Sequence, residues 1–250
     1  MTPTKFTSLV LTLLIGVGAA QANEGPAGWQ RSAENEVANL ASLQRGAKNF
    51  MAYCSGCHSL KYARYSRVAT DLKISDELRD QLLVKPGAKF TDYIRSSMPE
   101  KDATEWFGKV PPDLSLVARS RSPDWIYTYM RSFYRDPASK TGWNNTVFPN
   151  VAMPHVLWEY QGRQVLNVTE RTDPNTGDVH QARKLAIEQP GTLKPVEYDR
   201  YTADLVNYLA YMAEPAQADR KKWGVLALLL LGIFLVFSLM LKSEYWKDVR

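Results

Sequence analysis

A chain of 250 residues, 45% hydrophobic and 23% charged, is long enough for one sizeable domain and an appendage or two. Its formal charge of +5 sits at the ends: residues 23–219 taken alone are formally neutral, which gives a nucleic-acid-binding role no support. With two cysteines in all, neither a disulfide framework nor a four-cysteine metal site can be built.

Met1 to Ala22 reads as a secretory signal, with Lys5 as the charged start, an apolar run from Leu9 to Gly18, and small residues at Ala20-Gln21-Ala22 for cleavage. The expected organisation is therefore a signal over 1–22, an exported domain over 23–219 and an anchor with a short tail over 220–250. From Asn35 to Tyr53 the residues Val37, Leu40, Leu43, Ala47, Phe50 and Met51 recur at helical spacing, predicting an amphipathic helix.

That helix delivers the chain into Cys54-Ser55-Gly56-Cys57-His58, the spacing of c-type haem attachment. Two thiols two residues apart can add across both vinyl groups of one porphyrin, and the following imidazole becomes the proximal iron ligand. Small residues at Ser55 and Gly56 let the backbone run close to the ring. A redox thiol pair would not need His58, and a zinc site would want a second Cys or His pair that the sequence does not supply. Export agrees with one covalent haem c, since such haem is attached outside the bacterial cytoplasm. Arg45, Lys48, Lys61, Arg64 and Arg67 flank the motif with no acid between them, whereas acids outnumber bases from Asp71 to Asp113. Such polarity suits docking of a charged protein.

Beyond the motif, the aromatics of Lys61-Tyr62-Ala63-Arg64-Tyr65 pack either on the ring or on the core. Asp76 to Val84 is expected to be a short helix capped by Ser75 and stopped by Lys85-Pro86-Gly87. Met98-Pro99, Val110-Pro111-Pro112-Asp113 and Phe148-Pro149-Asn150 are expected in irregular stretches, with helices at Leu114 to Arg119 and Trp125 to Phe133. Ile126, Tyr129, Met130 and Phe133 form the inner face of the second. Two strand-like runs within Arg163 to Ile187 flank Asp173-Pro174-Asn175-Thr176-Gly177 and predict a β-hairpin. A helix from Asp199 to Met212 follows, closed by Glu214-Pro215, and Ala216 to Asp219 make a short linker. Gly224 to Leu241 is uncharged and long enough to cross a hydrocarbon core of about 30 Å. Trp223, Tyr245 and Trp246 stand where interfacial aromatics lie. Basic residues on its two sides are balanced, so the signal sets the orientation, with the haem domain outside and the tail in the cytoplasm.

An electron-carrying haem needs a sixth ligand, and a thioether raises the potential relative to a second imidazole. Met51 is too near the attachment site, and Met130 and Met212 fit helical core stripes. Met98 and Met153, each followed by proline, remain, with His155 and His180 as histidine candidates and His155 the named rival; an apolar approach from Phe148 to Ala152 favours Met153.

The chain resembles the cytochrome c1 family, the haem subunits of ubiquinol–cytochrome c reductase (the bc1 complex), in their short bacterial form. The resemblance rests on Cys54-Ser55-Gly56-Cys57-His58-Ser59-Leu60, Pro86-Gly87 with Asp92-Tyr93, Pro111-Pro112-Asp113-Leu114-Ser115, Ala152-Met153-Pro154, Asp204 to Leu209 with Glu214-Pro215, and Arg220-Lys221 before the terminal span. CxxCH is generic; the PPDLS block, a late Met-Pro and a terminal anchor in that order are specific. Two departures are Trp106-Phe107-Gly108, where the family often has an Asn-Asn-Gly stretch, and the lack of a second cysteine pair that some members carry.

This resemblance implies a mainly helical class I c-type haem domain with a β-hairpin insertion and one C-terminal transmembrane helix. It implies His58 and Met153 as iron ligands, Pro111 and Pro112 lining the haem, Arg121 meeting a propionate, and Trp125 and Phe148 packed near the ring. The implied function is one-electron transfer from the Rieske iron–sulfur protein to a soluble cytochrome c, in the plasma membrane beside cytochrome b, within a dimeric complex. A membrane-anchored carrier feeding a terminal oxidase is the rival within electron transfer. A five-coordinate gas-binding sensor is the rival from another class, and a two-haem peroxidase is excluded by the single CxxCH.

Overall fold

Helix starts in this chain are set by side chains that capture free amides, and the first case already moves a predicted boundary. Asn39 accepts the Ser42 amide at 3.1 Å, so α1 runs Leu40–Tyr53 rather than from Asn35. The computed structural model describes residues 31–172 and 179–248; the expected signal and the turn centre at Asp173 to Gly177 lie outside them. After the haem motif come β1 (Leu60–Arg64) and α2 (Tyr65–Asp71). Ser75 caps a single turn, α3 (Asp76–Leu78), whose amide reaches its hydroxyl at 3.4 Å, and the chain then widens into a π-turn over Arg79–Leu83.

β2 (Tyr93–Ile94) pairs antiparallel with β1, Leu60 opposite Ile94. α4 (Glu100–Phe107) was not expected; acids in its first turn and Gly108 at φ +75° behind it supply the usual start and stop chemistry. The helix predicted at Leu114 to Arg119 shrinks to α5 (Val117–Ser120). Ser122 accepts the Trp125 amide at 3.2 Å and opens α6 (Pro123–Arg131). Phe133, expected as its last inward residue, instead begins β3 (Phe133–Arg135), which pairs with β4 (Trp143–Asn145). α7 (Trp158–Gln161) leads into the expected hairpin, β5 (Gly162–Thr172) with β6 (Val179–Pro190). α8 (Pro195–Ala213) is longer than predicted by a turn at its start, where Pro195 sits at N1. Helix resumes in α9 (Gln217–Trp246), so the expected linker contracts to Glu214-Pro215-Ala216, bridged by the Arg220–Glu214 ion pair at 2.5 Å.

The fold is mainly helical, with three two-stranded sheets among the described residues. Its core lies between α1 and α8. Leu43, Ala47 and Phe50 of α1 meet Leu205, Tyr208 and Leu209 of α8, all buried. The two backbones approach so closely at Gly46 that a Cβ there would stand 2.1 Å from the Asp204 carbonyl oxygen. Ser42 Oγ donates to Asp204 at 2.7 Å, Arg45 grips the same carboxylate through Nε at 2.6 Å, and Asn207 Nδ2 donates to the Glu36 carbonyl at 2.9 Å. The last of these bonds holds the turn before α1 against α8. The end of α6 is tied to α8 by the Tyr198 hydroxyl, which donates to the Met130 carbonyl at 2.8 Å. The hairpin is fastened at its base, where Gln164 Nε2 donates to the Arg131 and Phe133 carbonyls at 3.0 and 2.9 Å. Nothing covers α9: an 18-residue window within it has a mean hydropathy of 2.8 and is 0% buried, so by length and composition it can anchor the chain in a membrane.

Candidate haem site

The last turn of α1 sets the attachment motif. The amides of Cys54 and Ser55 both donate to the Phe50 carbonyl, and the His58 amide returns to the Cys54 carbonyl at 2.8 Å. This tight coil places Cys54, Cys57 and His58 on the wall of one cleft. Its walls are almost wholly apolar: Phe107, Pro111, Pro112, Ala152, Met153, Pro154 and Val156 join Tyr53, Cys54, Cys57 and His58, with Lys109 the one cationic side chain.

His58 is held by its Nδ1, which donates to the Pro112 carbonyl at 2.7 Å, so Nε2 is free to ligate a metal. Burial is the larger influence on this imidazole and lowers its pKa, keeping it neutral as a ligand must be. The carbonyl is aimed by the PPDLS block. Asp113 accepts the Lys61 amide at 2.8 Å and the Ser115 amide at 2.9 Å, the Leu114 amide donates to Ser59, and Ser115 Oγ accepts the Tyr62 amide. The double proline thus lies along the attachment motif because the acid behind it is bonded to β1.

The thiols fit thioether formation better than redox exchange. Burial pushes the Cys54 thiol up to about 12, and burial also raises Cys57, whereas an exchange pair needs a stabilised thiolate. Among the described residues no group of three His, Cys, Asp or Glu stands together as a metal site.

Met153 faces the cleft, and its sulfur accepts a hydrogen bond from the Tyr129 hydroxyl at 3.4 Å. Tyr129 is itself stacked on Trp125, with ring centroids 5.0 Å apart and 10° between planes, and the Arg121 guanidinium sits 5.2 Å above Trp125. Neither Trp125 nor Arg121 lines the cleft; the structure puts them behind Met153, one through the other. Phe148 also stands off the wall, 37% exposed, with Lys109 Nζ 5.8 Å from its ring. Met98 is outside the cleft, and Met130 and Met212 are buried core residues as predicted. His155, the rival ligand, is 1% exposed and stacked on Phe133 at 4.8 Å with 1° between planes. Among the described residues neither ring nitrogen of His155 has a partner in hydrogen-bond geometry, and burial, partly opposed by nearby Gln161, pushes it down to about 4. Of the aromatics after the motif, Tyr65 is core and Tyr62 is 72% exposed.

Two residues that the sequence reading passed over build the Met153 loop. Asn145, wholly buried, donates to the Tyr129 carbonyl at 2.8 Å and accepts the Val147 and Phe148 amides. Asn144 accepts the Asn150 amide at 2.8 Å. An Asn-Asn pair ahead of Phe148-Pro149-Asn150 was the available signal, since such side chains bond nearby backbone in turns.

The chain matches the model of the Cytochrome C1 family over residues 29–181 and 189–249. It is 45% identical to a cytochrome c1 of Allochromatium vinosum, over 97% of this chain and 98% of that protein. It is 44% identical, over 85% of this chain and 86% of the relative, to a protein of Nitrosomonas europaea named ammonia monooxygenase gamma subunit. A cytochrome c1 of Rhodospirillum rubrum is 27% identical over 96% of this chain.

Proposed function

The chain belongs to the cytochrome c1 family, and from that premise we propose that it is the one-electron carrier of a membrane-bound quinol–cytochrome c reductase. In this reading it takes electrons from a Rieske iron–sulfur protein, passes them to a soluble cytochrome c, and works beside cytochrome b in a dimeric assembly. Proteins of this family carry covalent haem c and are subunits of an oxidoreductase complex; a curated relative from Bradyrhizobium diazoefficiens is named cytochrome b/c1. The observation that carries the reading is the meeting of both thiols, His58 and Met153 in one apolar cleft.

One covalently bound haem c supplies an iron that gains and loses a single electron. Cys54 and Cys57 would hold the haem covalently, while His58, oriented by the Pro112 carbonyl, and Met153, backed by Tyr129, would supply the two protein ligands to its iron. Pro111 and Pro112 exclude water from the His58 side. Trp125 supports Tyr129, Phe148 packs on Lys109 at the rim, and Arg121, seated over Trp125, would pair with a haem propionate. No acid–base or nucleophilic work is assigned to this subunit. The signal over 1–22 directs residues 23–219 to the periplasm, and 220–250 anchors them in the bacterial plasma membrane with a cytoplasmic tail.

Purification from membranes in mild detergent tests the reading. Cytochrome b and a Rieske protein should come with the chain, and the haem should be low-spin, unreactive to carbon monoxide and reducible by quinol. Replacing Met153 by leucine should abolish the weak far-red sulfur–iron band, lower the potential and admit carbon monoxide. An unmodified chain that takes up carbon monoxide readily, or that arrives with an ammonia-oxidising assembly instead, overturns the assignment.

A further inference from the structure

The two spacer residues of the attachment motif end a helix, and helix ends leave carbonyls that need partners. Here a distant segment provides them. Lys85 Nζ donates to the Ser55 carbonyl at 2.5 Å, to the Arg95 carbonyl at 2.8 Å and to Ser97 Oγ at 3.2 Å, which uses all three ammonium donors. Ser96 completes the bracket: its hydroxyl donates to the Gly56 carbonyl at 2.7 Å and its amide to Ser59 Oγ at 2.7 Å.

A lysine would more simply extend into water from an exposed loop. This one is half-buried, and the hydroxyl of the buried Tyr65 bonds its backbone. Behind it, Pro86 and Gly87, the latter at φ +81°, turn the chain back. Its partners are all neutral oxygens, so its charge is not spent on a carboxylate among the described residues. Burial lowers its pKa, and the charge in turn acts on Cys57, the second thioether position. A cation at the C-terminal end of α1 also offsets the partial negative charge of that helix's free carbonyls. An electron arriving in the cleft is attracted by the ammonium and repelled by the carbonyls, so the balance between them bears on the reduction potential.

We propose that Lys85 is a positioning residue for the haem: it pins the Ser55 carbonyl of the attachment motif to the Arg95–Ser97 segment and holds one positive charge beside Cys57, favouring the reduced iron. This assignment rests on the haem reading given above.

The test is a redox titration of the haem absorption in membranes containing the full chain in its complex. For K85Q, which keeps the length and removes the charge, the reduced-to-oxidised ratio at fixed ambient potential should fall about threefold to tenfold, or about 30 to 59 mV at 59 mV per tenfold for one electron. K85R, which keeps the charge and the donors, should stay within threefold of the parent. K89Q removes a charge from an exposed lysine four residues away and should leave the ratio unchanged. A parental ratio in K85Q, or an equal fall in K89Q, overturns the proposal. Should K85Q carry no covalent haem, K85R decides: parental haem content and ratio support the role of Lys85, and loss of either overturns it. A parent chain without covalent haem overturns the haem reading instead.

Discussion

Tyr129 shows how a side chain with a bland sequence signature acquires a role. Its place on the inner face of α6 marks it as core, and it is indeed mostly buried, yet its hydroxyl ends on the sulfur of Met153. A hydrogen bond to that sulfur draws electron density from it and favours the reduced metal. Tyr129→Phe should therefore lower the midpoint potential and weaken or shift the far-red band while methionine stays bound; redox titration with absorption spectra reads both. His155 supplies the contrast. It is buried, stacked and, among the described residues, without a partner in hydrogen-bond geometry for either nitrogen, and polar groups left unsatisfied in a core cost about 1 to 3 kcal/mol. His155→Leu removes that cost but also the stack on Phe133, which offsets it, so the low-spin spectrum should stay intact and stability change by less than about 1 kcal/mol, measured by thermal unfolding of the holoprotein. Loss of the low-spin spectrum in that variant would make His155 a ligand. The attachment motif was legible because its chemistry is local in sequence, whereas the choice of Met153 over Met98 and His155 rested chiefly on the family resemblance and stays a proposal. Tyr129, Asn145 and Lys85 were not, because each acts on a segment at least ten residues away.

At the level of elements, the α1–α8 crossing has the least room for change. An added methyl at Gly46 would overlap the Asp204 carbonyl oxygen and stand 2.6 Å from Tyr208 Cβ, so one helix must move. Helix propensity favours alanine by about 1 kcal/mol, but overpacking against backbone costs about 1 to 3 kcal/mol or more. Gly46→Ala should be destabilising by about 1 to 2 kcal/mol, with the midpoint of thermal unfolding of the haem-loaded chain as the readout. Because Phe50 and Cys54 follow on the same helix, the attachment motif should feel the shift. Periodicity predicted α1, α6, α8 and the hairpin, whose patterns run over two turns or more. It overran where caps rule, as at Asn39, where α1 begins five residues later than predicted. It missed α4, whose eight residues carry too few apolar positions to show a face. The β1–β2 pairing was invisible, since some thirty residues separate its strands and nothing in either announces the other.

The molecule as a whole divides into a haem domain with its own core and a helix with none. α9 exposes Leu, Ile, Phe and Val on all sides, and only a lipid or protein surround satisfies such a surface. A chain ended after Ala216 should leave the membrane fraction and keep its covalent haem and spectrum, as fractionation followed by haem staining would show. Retention of the shortened chain in membranes would mean that other surfaces hold it. The mainly helical class and the terminal apolar helix were readable at this scale, because composition and long apolar runs need no knowledge of packing.

The brevity of the joint between α8 and α9 has a mechanical meaning. Glu214, Pro215 and Ala216 give only a few ångströms of slack, proline stiffens them, and Arg220 clasps Glu214 across the bend. In the membrane-anchored assembly proposed above, a redox centre on so short a leash keeps a nearly constant height above the lipid and has little freedom to swing toward whatever it serves. On that proposal the travelling falls to the protein that brings the electron and to the one that carries it off.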